Sequence, residues 1–132
     1  MGMDVYGRKP TAPEGVYFRR NIWRWHPLAK LCITLAPAET QPYKGWHDND
    51  DDGLDAAQSV ALANRLQQLI ADGTVAGYLA RQSALDPAEV GLTEVVKFAS
   101  SLGARIPTLT VDLQDVIEFI AFLRACGGFN IC

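Results

Sequence analysis

What this sequence lacks narrows it before any motif is read. It has three cysteines, Cys32, Cys126 and Cys132, odd in number and widely spaced, with no C-x-x-C pair. That excludes a disulfide framework and a cysteine-rich zinc site, and it fits reduced thiols in a cytoplasmic protein. No apolar run approaches the ~20 residues a membrane-spanning helix needs. The opening MGMDVYGRKP has no apolar stretch, so it does not read as a secretory signal. Tyr6 stands where myristoylation requires Ser or Thr, and Cys132 has no residues after it for prenylation. A P-loop, a G-x-G-x-x-G, a G-x-S-x-G and an H-E-x-x-H are all missing, so no catalytic residue and no cofactor is expected and the chain does not read as an enzyme. The two histidines, His26 and His47, each follow a tryptophan, with no spacing that pairs either with a cysteine as base and nucleophile.

Apolar residues are not lacking. At 48% of 132 residues they suffice for one core, and the expectation is a single domain over 1–132. The expected class is mainly α, four to five helices in one compact domain, with a small strand pair that makes it α+β. Leu28, Leu31, Cys32 and Leu35 form one helical stripe, with Pro27 in the first turn and Pro37 ending the helix. Residues 36–45 read as a loop. A second helix runs from a cap at Asp52 to Gly73, with Leu54, Ala57, Ala61, Leu62, Leu66, Leu69 and Ile70 inward. A short turn follows, with Val75, Tyr78 and Leu79 inward. DPAE opens a third helix with the stripe Leu92, Val95, Val96, Ala99 and Leu102, closed by Gly103. The last helix places Leu113, Val116, Ile117, Ile120 and Leu123 on one face, widened by Phe119 and Phe122, as a central helix would. MDVYG and GFNIC read as strands that pair with one another.

Charge is unevenly spread. Residues 1–47 hold seven Lys or Arg against Asp4, Glu14 and Glu39, whereas residues 48–132 hold five against twelve acids. Such polarity marks either a partner surface or, as favoured here, halves that neutralise each other within the fold. The densest basic-aromatic stretch is YFRRNIWRWHPL at 17–28. Its candidate binding residues are Arg19, Arg20, Trp23, Arg24, Trp25 and His26. Cations beside flat rings suit phosphate and base stacking. The same types dominate protein interfaces, and rings with arginine stems also build cores. Extended, the segment would put Trp23 and Trp25 on one face and Arg24 and His26 on the other; helical, it would join Ile22 to Trp25. Either way one tryptophan is expected inside, and what remains outside suits a protein partner or a second copy better than a nucleic acid.

A second motif, WHDNDDDGLD, opens like a calcium loop with Asp48, Asp50, Asp52 and Gly53. The match then stops, because Ser59 stands where a bidentate Glu is required and prolines interrupt the preceding residues. An acidic turn ahead of a helix explains the same residues through the helix dipole.

Taken together, MGMDVYG, GVYFRRNIWRWHPL, NDDDGLDAAQSVALANRL and FLRACGGFNIC make the chain resemble a group of small bacterial and phage proteins. Members of that group share an MDVYG start, a YFR–N–W–W–PL block and a GGF–IC tail. The resemblance implies one compact unit and transfers no catalytic residue. It implies a small binding protein, with a component of the host or of its defences as the expected target.

Overall fold

The computed structural model describes residues 2–132. Three strands, β1 (Gly2–Gly7), β2 (Tyr17–Asn21) and β3 (Phe129–Ile131), form an antiparallel sheet in the order β2-β1-β3. Six helices surround it: α1 (Ile22–Leu35), α2 (Pro37–Thr40), α3 (Ala56–Ala71), α4 (Thr74–Arg81), α5 (Thr93–Ser101) and α6 (Leu113–Ala125). The result is a mostly helical, compact α+β domain with a small sheet.

The sheet obeys the period-two rule of a one-sided strand. Met3 and Val5 of β1, Phe18 of β2, and Phe129 and Ile131 of β3 point into the core. β1 pairs with β3 as expected, with Val5 opposite Ile131 and Tyr6 opposite Asn130. β2 is an addition to that expectation: the start of the basic-aromatic stretch is itself a strand, with Phe18 opposite Val5 and Arg19 opposite Asp4. The free edge of β3 is covered by the acidic segment, which bridges Asp52 to Ile131 and Asp55 to Gly128. Phe129 N–H donates to Leu54 O at 2.9 Å, and Ile131 N–H to Asp52 O at 2.9 Å. Gly53 permits that approach, since a Cβ there would lie 2.3 Å from the Phe129 carbonyl oxygen.

α1 begins five residues earlier than its leucine stripe and Pro27 suggest. Asn21 caps it, its side chain accepting the Arg24 N–H at 3.1 Å. Pro27 therefore lies inside the helix rather than in its first turn, leaving the Trp23 carbonyl without its usual donor four residues on. The expected 36–45 loop contains the short helix α2, with Pro37 at its start.

α3 is capped by Asp55 and not Asp52. Asp55 accepts the Gln58 N–H at 2.8 Å while the Gln58 side chain accepts the Asp55 N–H at 3.0 Å. The buried face of α3 is Ser59, Leu62, Ala63, Leu66 and Leu69, leaving Ala57 and Ala61 exposed. Gly73 separates α3 from α4 at φ +85°, a left-handed conformation that glycine adopts without steric cost. DPAE makes only a short 3-10 turn, Pro87–Val90, and α5 starts afresh beyond Gly91.

The core is an aromatic cluster where α1, α6, β2, β3 and the residue 43–46 turn meet. Trp25 stacks with Trp46 at a ring separation of 6.4 Å and meets Phe119 edge-on at 5.7 Å. Phe18 lies 5.1 Å from Phe119 and 5.7 Å from Phe122, and Phe129 closes on Trp46 at 5.7 Å. Offset and edge contacts of this kind add ~1 kcal/mol per pair beyond area burial. α6 is central, as its wide apolar face predicts, but that face is turned: Val116, Phe119, Ile120, Phe122 and Leu123 are buried, whereas Leu113 and Ile117 are exposed.

Candidate functional site

The basic-aromatic segment is drawn into the body of the protein. Trp25 is fully buried and donates from its indole N–H to Trp46 O at 2.7 Å. His26 is buried too. Trp23 is the half-buried tryptophan; with Pro107, Thr108 and Thr110 it lines a shallow groove of about 260 Å³.

Each arginine of the segment meets one or two acids. Arg19 Nε donates to Asp4 Oδ1 at 3.0 Å, and Tyr17 Oη donates to the same carboxylate. Arg20 donates to Asp115 Oδ1 at 2.9 Å and to Glu118, with its guanidinium 4.5 Å above the Phe18 ring. Arg24 donates to Asp112 Oδ2 at 2.9 Å and to Asp115 Oδ2 at 2.6 Å.

Asp115 is the hub of that cluster and is only 2% exposed. Burial alone would raise its pKa. The Arg24 hydrogen bond, the Asp112 N–H and Arg20 together outweigh burial and hold the carboxyl below its ordinary range. Asp112 and Asp115 are also the two ends of the α6 capping box, at 3.0 and 3.1 Å. One aspartate thus caps a helix and gathers two arginines. Lys30 likewise meets Glu89 at 3.0 Å, and Arg8 meets Asp52 at 3.1 Å. Arg8, Arg20, Arg24 and Lys30 are therefore paired with acids of the rest of the chain and Arg19 with Asp4 beside it, and the arginines of the segment offer no unpaired cation to a phosphate.

The acidic motif is engaged in the same internal way. Asp50 accepts the Tyr43 hydroxyl at 2.6 Å, and Asp52 accepts the Gly53 N–H at 2.8 Å besides pairing with Arg8. Among the described residues no group of three or more His, Cys, Asp or Glu is arranged to hold a metal ion, so Asp48, Asp50 and Asp52 do not converge as the calcium-loop alternative requires.

Each of the two Trp-His dipeptides supplies half of a clasp. His26 Nδ1 and His47 Nδ1 lie 2.7 Å apart, so one ring donates and the other accepts. Burial first, then the neighbouring His47, lowers the pKa of His26 to about 4. Burial also lowers that of His47, with Lys30 adding to the effect and Asp48 opposing it. Both rings are neutral at pH 7, and the clasp ties α1 to the turn that carries Trp46.

One surface is left open. α5 carries Val95, Val96 and Ala99 of the expected stripe, with buried Leu92 at its N-cap and Leu102 at its C-cap, and none of the helix's own residues is buried. Val95 leans on the core, whereas Phe98 and Leu102, one turn apart, are 67% and 69% exposed. These are the largest exposures of any big apolar side chain among the described residues. The main neighbour of α5 is the Pro87–Val90 turn that precedes it. Phe98 was not among the residues expected to bind. Its signal lay in the period, since it extends the Val95–Leu102 stripe by one position; periodicity alone does not say whether a neighbour covers a face.

Comparison of the chain with protein-family models, with curated proteins and with solved structures finds no match. No helix among the described residues is long and apolar enough to cross a membrane.

Proposed function

We propose that the chain is a small, non-enzymatic interaction protein that docks a protein partner on the face of α5, with Phe98 and Leu102 as anchors. The observation that carries this reading is the exposure of that pair at the end of a helix none of whose own residues is buried. Exposed apolar pairs at i and i+4 are how an amphipathic helix seats in a partner's groove. The surface is thereby moved from residues 17–26 to α5, because Trp25 and His26 are buried and Arg19, Arg20 and Arg24 are paired. Support for a host or defence-system component as the partner comes from the sequence resemblance alone.

The test is affinity capture from the native host with the wild-type chain, the double variant Phe98→Ser/Leu102→Ser and the control Arg19→Ala. The expected result is a captured species lost with the double variant, retained by the control, with melting of all three within a few degrees. A capture profile that the double variant leaves unchanged overturns the reading. Sedimentation of the purified protein separates a second copy from a foreign partner.

A further inference from the structure

Away from the aromatic core, α1, α4 and the 82–89 segment border an open cavity of about 420 Å³. That is within the roughly 300–1,000 Å³ of small-molecule sites. Its apolar lining is Pro27, Leu35, Leu85 and Leu109, and its polar lining includes Lys30, Tyr78 and Arg81. The wall is held by backbone as well as side chains. Leu85 N–H donates to Leu109 O at 2.9 Å, and the Gln82 amide both donates to Val111 O and accepts from Val111 N–H, at 2.8 and 3.2 Å. This is a braced cavity in which three elements meet.

The lining holds two cations, Lys30 and Arg81, and two acids, Asp86 and Glu89, but only Lys30 and Glu89 pair with each other. Lys30 is matched by Glu89 at 3.0 Å, and Asp86 Oδ1 accepts the Ala88 N–H at 3.0 Å. Arg81 has no ion-pair or hydrogen-bond partner among the described residues. Its guanidinium folds back along its own helix, with one nitrogen 3.1 Å from where a Cβ would sit at Gly77. The absence of a side chain at Gly77 gives the guanidinium that place. Arg19, Arg20 and Arg24 are held by carboxylates, whereas Arg81 stands on the cavity lining with no carboxylate against it. A planar guanidinium recognises a carboxylate through two parallel hydrogen bonds. Asp86 and Glu89 on the same rim disfavour a second negative charge, which decides against a phosphate dianion. Burial raises the Tyr78 pKa, so its phenol stays protonated as a further donor.

We propose that this cavity binds a small monocarboxylate with an apolar body, the carboxylate on Arg81 and the body over Pro27, Leu35, Leu85 and Leu109. The proposal is independent of docking at α5, because the two sites share no residue.

Sodium octanoate and sodium phenylacetate serve as probes, followed by amide chemical-shift mapping on the isotope-labelled protein. The expected result is saturable one-to-one shifts at α4 and residues 82–89 with at least one probe. 1-Octanol, which has no carboxylate, should bind at least tenfold more weakly than octanoate. Arg81→Ala should weaken binding by roughly 10- to 100-fold, the effect of one charged hydrogen-bonded pair, and Arg81→Lys by less. Arg81 is exposed, so melting of both variants should match the wild type and a loss of binding reports on the site. No saturable shift with either probe, shifts centred on Phe98 and Leu102, or equal affinity in Arg81→Ala overturns the proposal.

Discussion

α5 and α6 begin from similar material. Each is a short helix with an apolar stripe at helical spacing and an acidic residue in its first turn, Glu94 in one and Asp115 in the other. α6 lies against α3, α4, β2 and the Pro13–Gly15 turn, and seven of its residues are buried; α5 has no buried residue. The difference lies in what stands opposite. α6 faces rings from α1, β2 and β3, and its acid is clamped by Arg20 and Arg24. α5 faces solvent, and its acid makes only an exposed pair with Lys97 on the same helix. Stripes of the same kind become a core in one place and a candidate docking face in the other, according to the neighbours that the topology supplies.

Truncation on the α6 side should have the largest effect. Trp25→Ala removes the ring that joins Phe119 to Trp46 and should cost about 4 kcal/mol. Urea denaturation checks it, and a loss under 1 kcal/mol would mean that the aromatic cluster is not the core described.

Acid should come next, through the clasp beside that core. In the unfolded chain His26 titrates near 6.5, and in the fold at about 4. The unfolded state therefore takes up its proton first as pH falls. The contribution of His26 is complete above pH 6.5 and declines as pH drops toward 4, for a total on the order of 3 kcal/mol. Unfolding midpoints at a series of pH values between 7 and 4 measure it, with His26→Asn as the comparison expected to show a shallower slope. Equal slopes would remove the clasp from the account.

The smallest effect belongs to α5. Phe98→Ser and Leu102→Ser should each change stability by under ~0.5 kcal/mol, as exposed side chains do. A larger loss would show that α5 is covered in solution by contacts of the chain itself, and the two helices would then differ less than described.

Legibility in the sequence followed the range of the interaction. Helix positions were legible because their signals are local, and so was the pairing of β1 with β3, whose short runs are bounded by glycine. The start of α1 was misplaced because Pro27 is a strong local signal and Asn21 a weaker one, and the cap won. The buried faces of α3 and α6 were each turned because an apolar stripe leaves the exact direction to the neighbours. The arginine cluster was out of reach for a related reason. That Arg20 and Arg24 would share Asp115, 95 and 91 positions away, is fixed by packing and by no local rule. The general complementarity of a basic third and an acidic remainder was legible; the partners were not.

Because β1 is the middle strand, its two edges are filled at very different times. β2 follows within a short loop and can zip up as a hairpin. β3 must return from far along the chain: Arg8, just past β1, bonds to Asn130 across 122 positions. Closing so long a loop costs roughly 2 kcal/mol more than closing the hairpin. During synthesis at ~5–20 residues per second, β1 presents an open edge for roughly 6–25 s before its partner exists. The nascent protein must survive that interval as a hairpin with one unsatisfied side, at the concentrations and in the company that a ribosome provides.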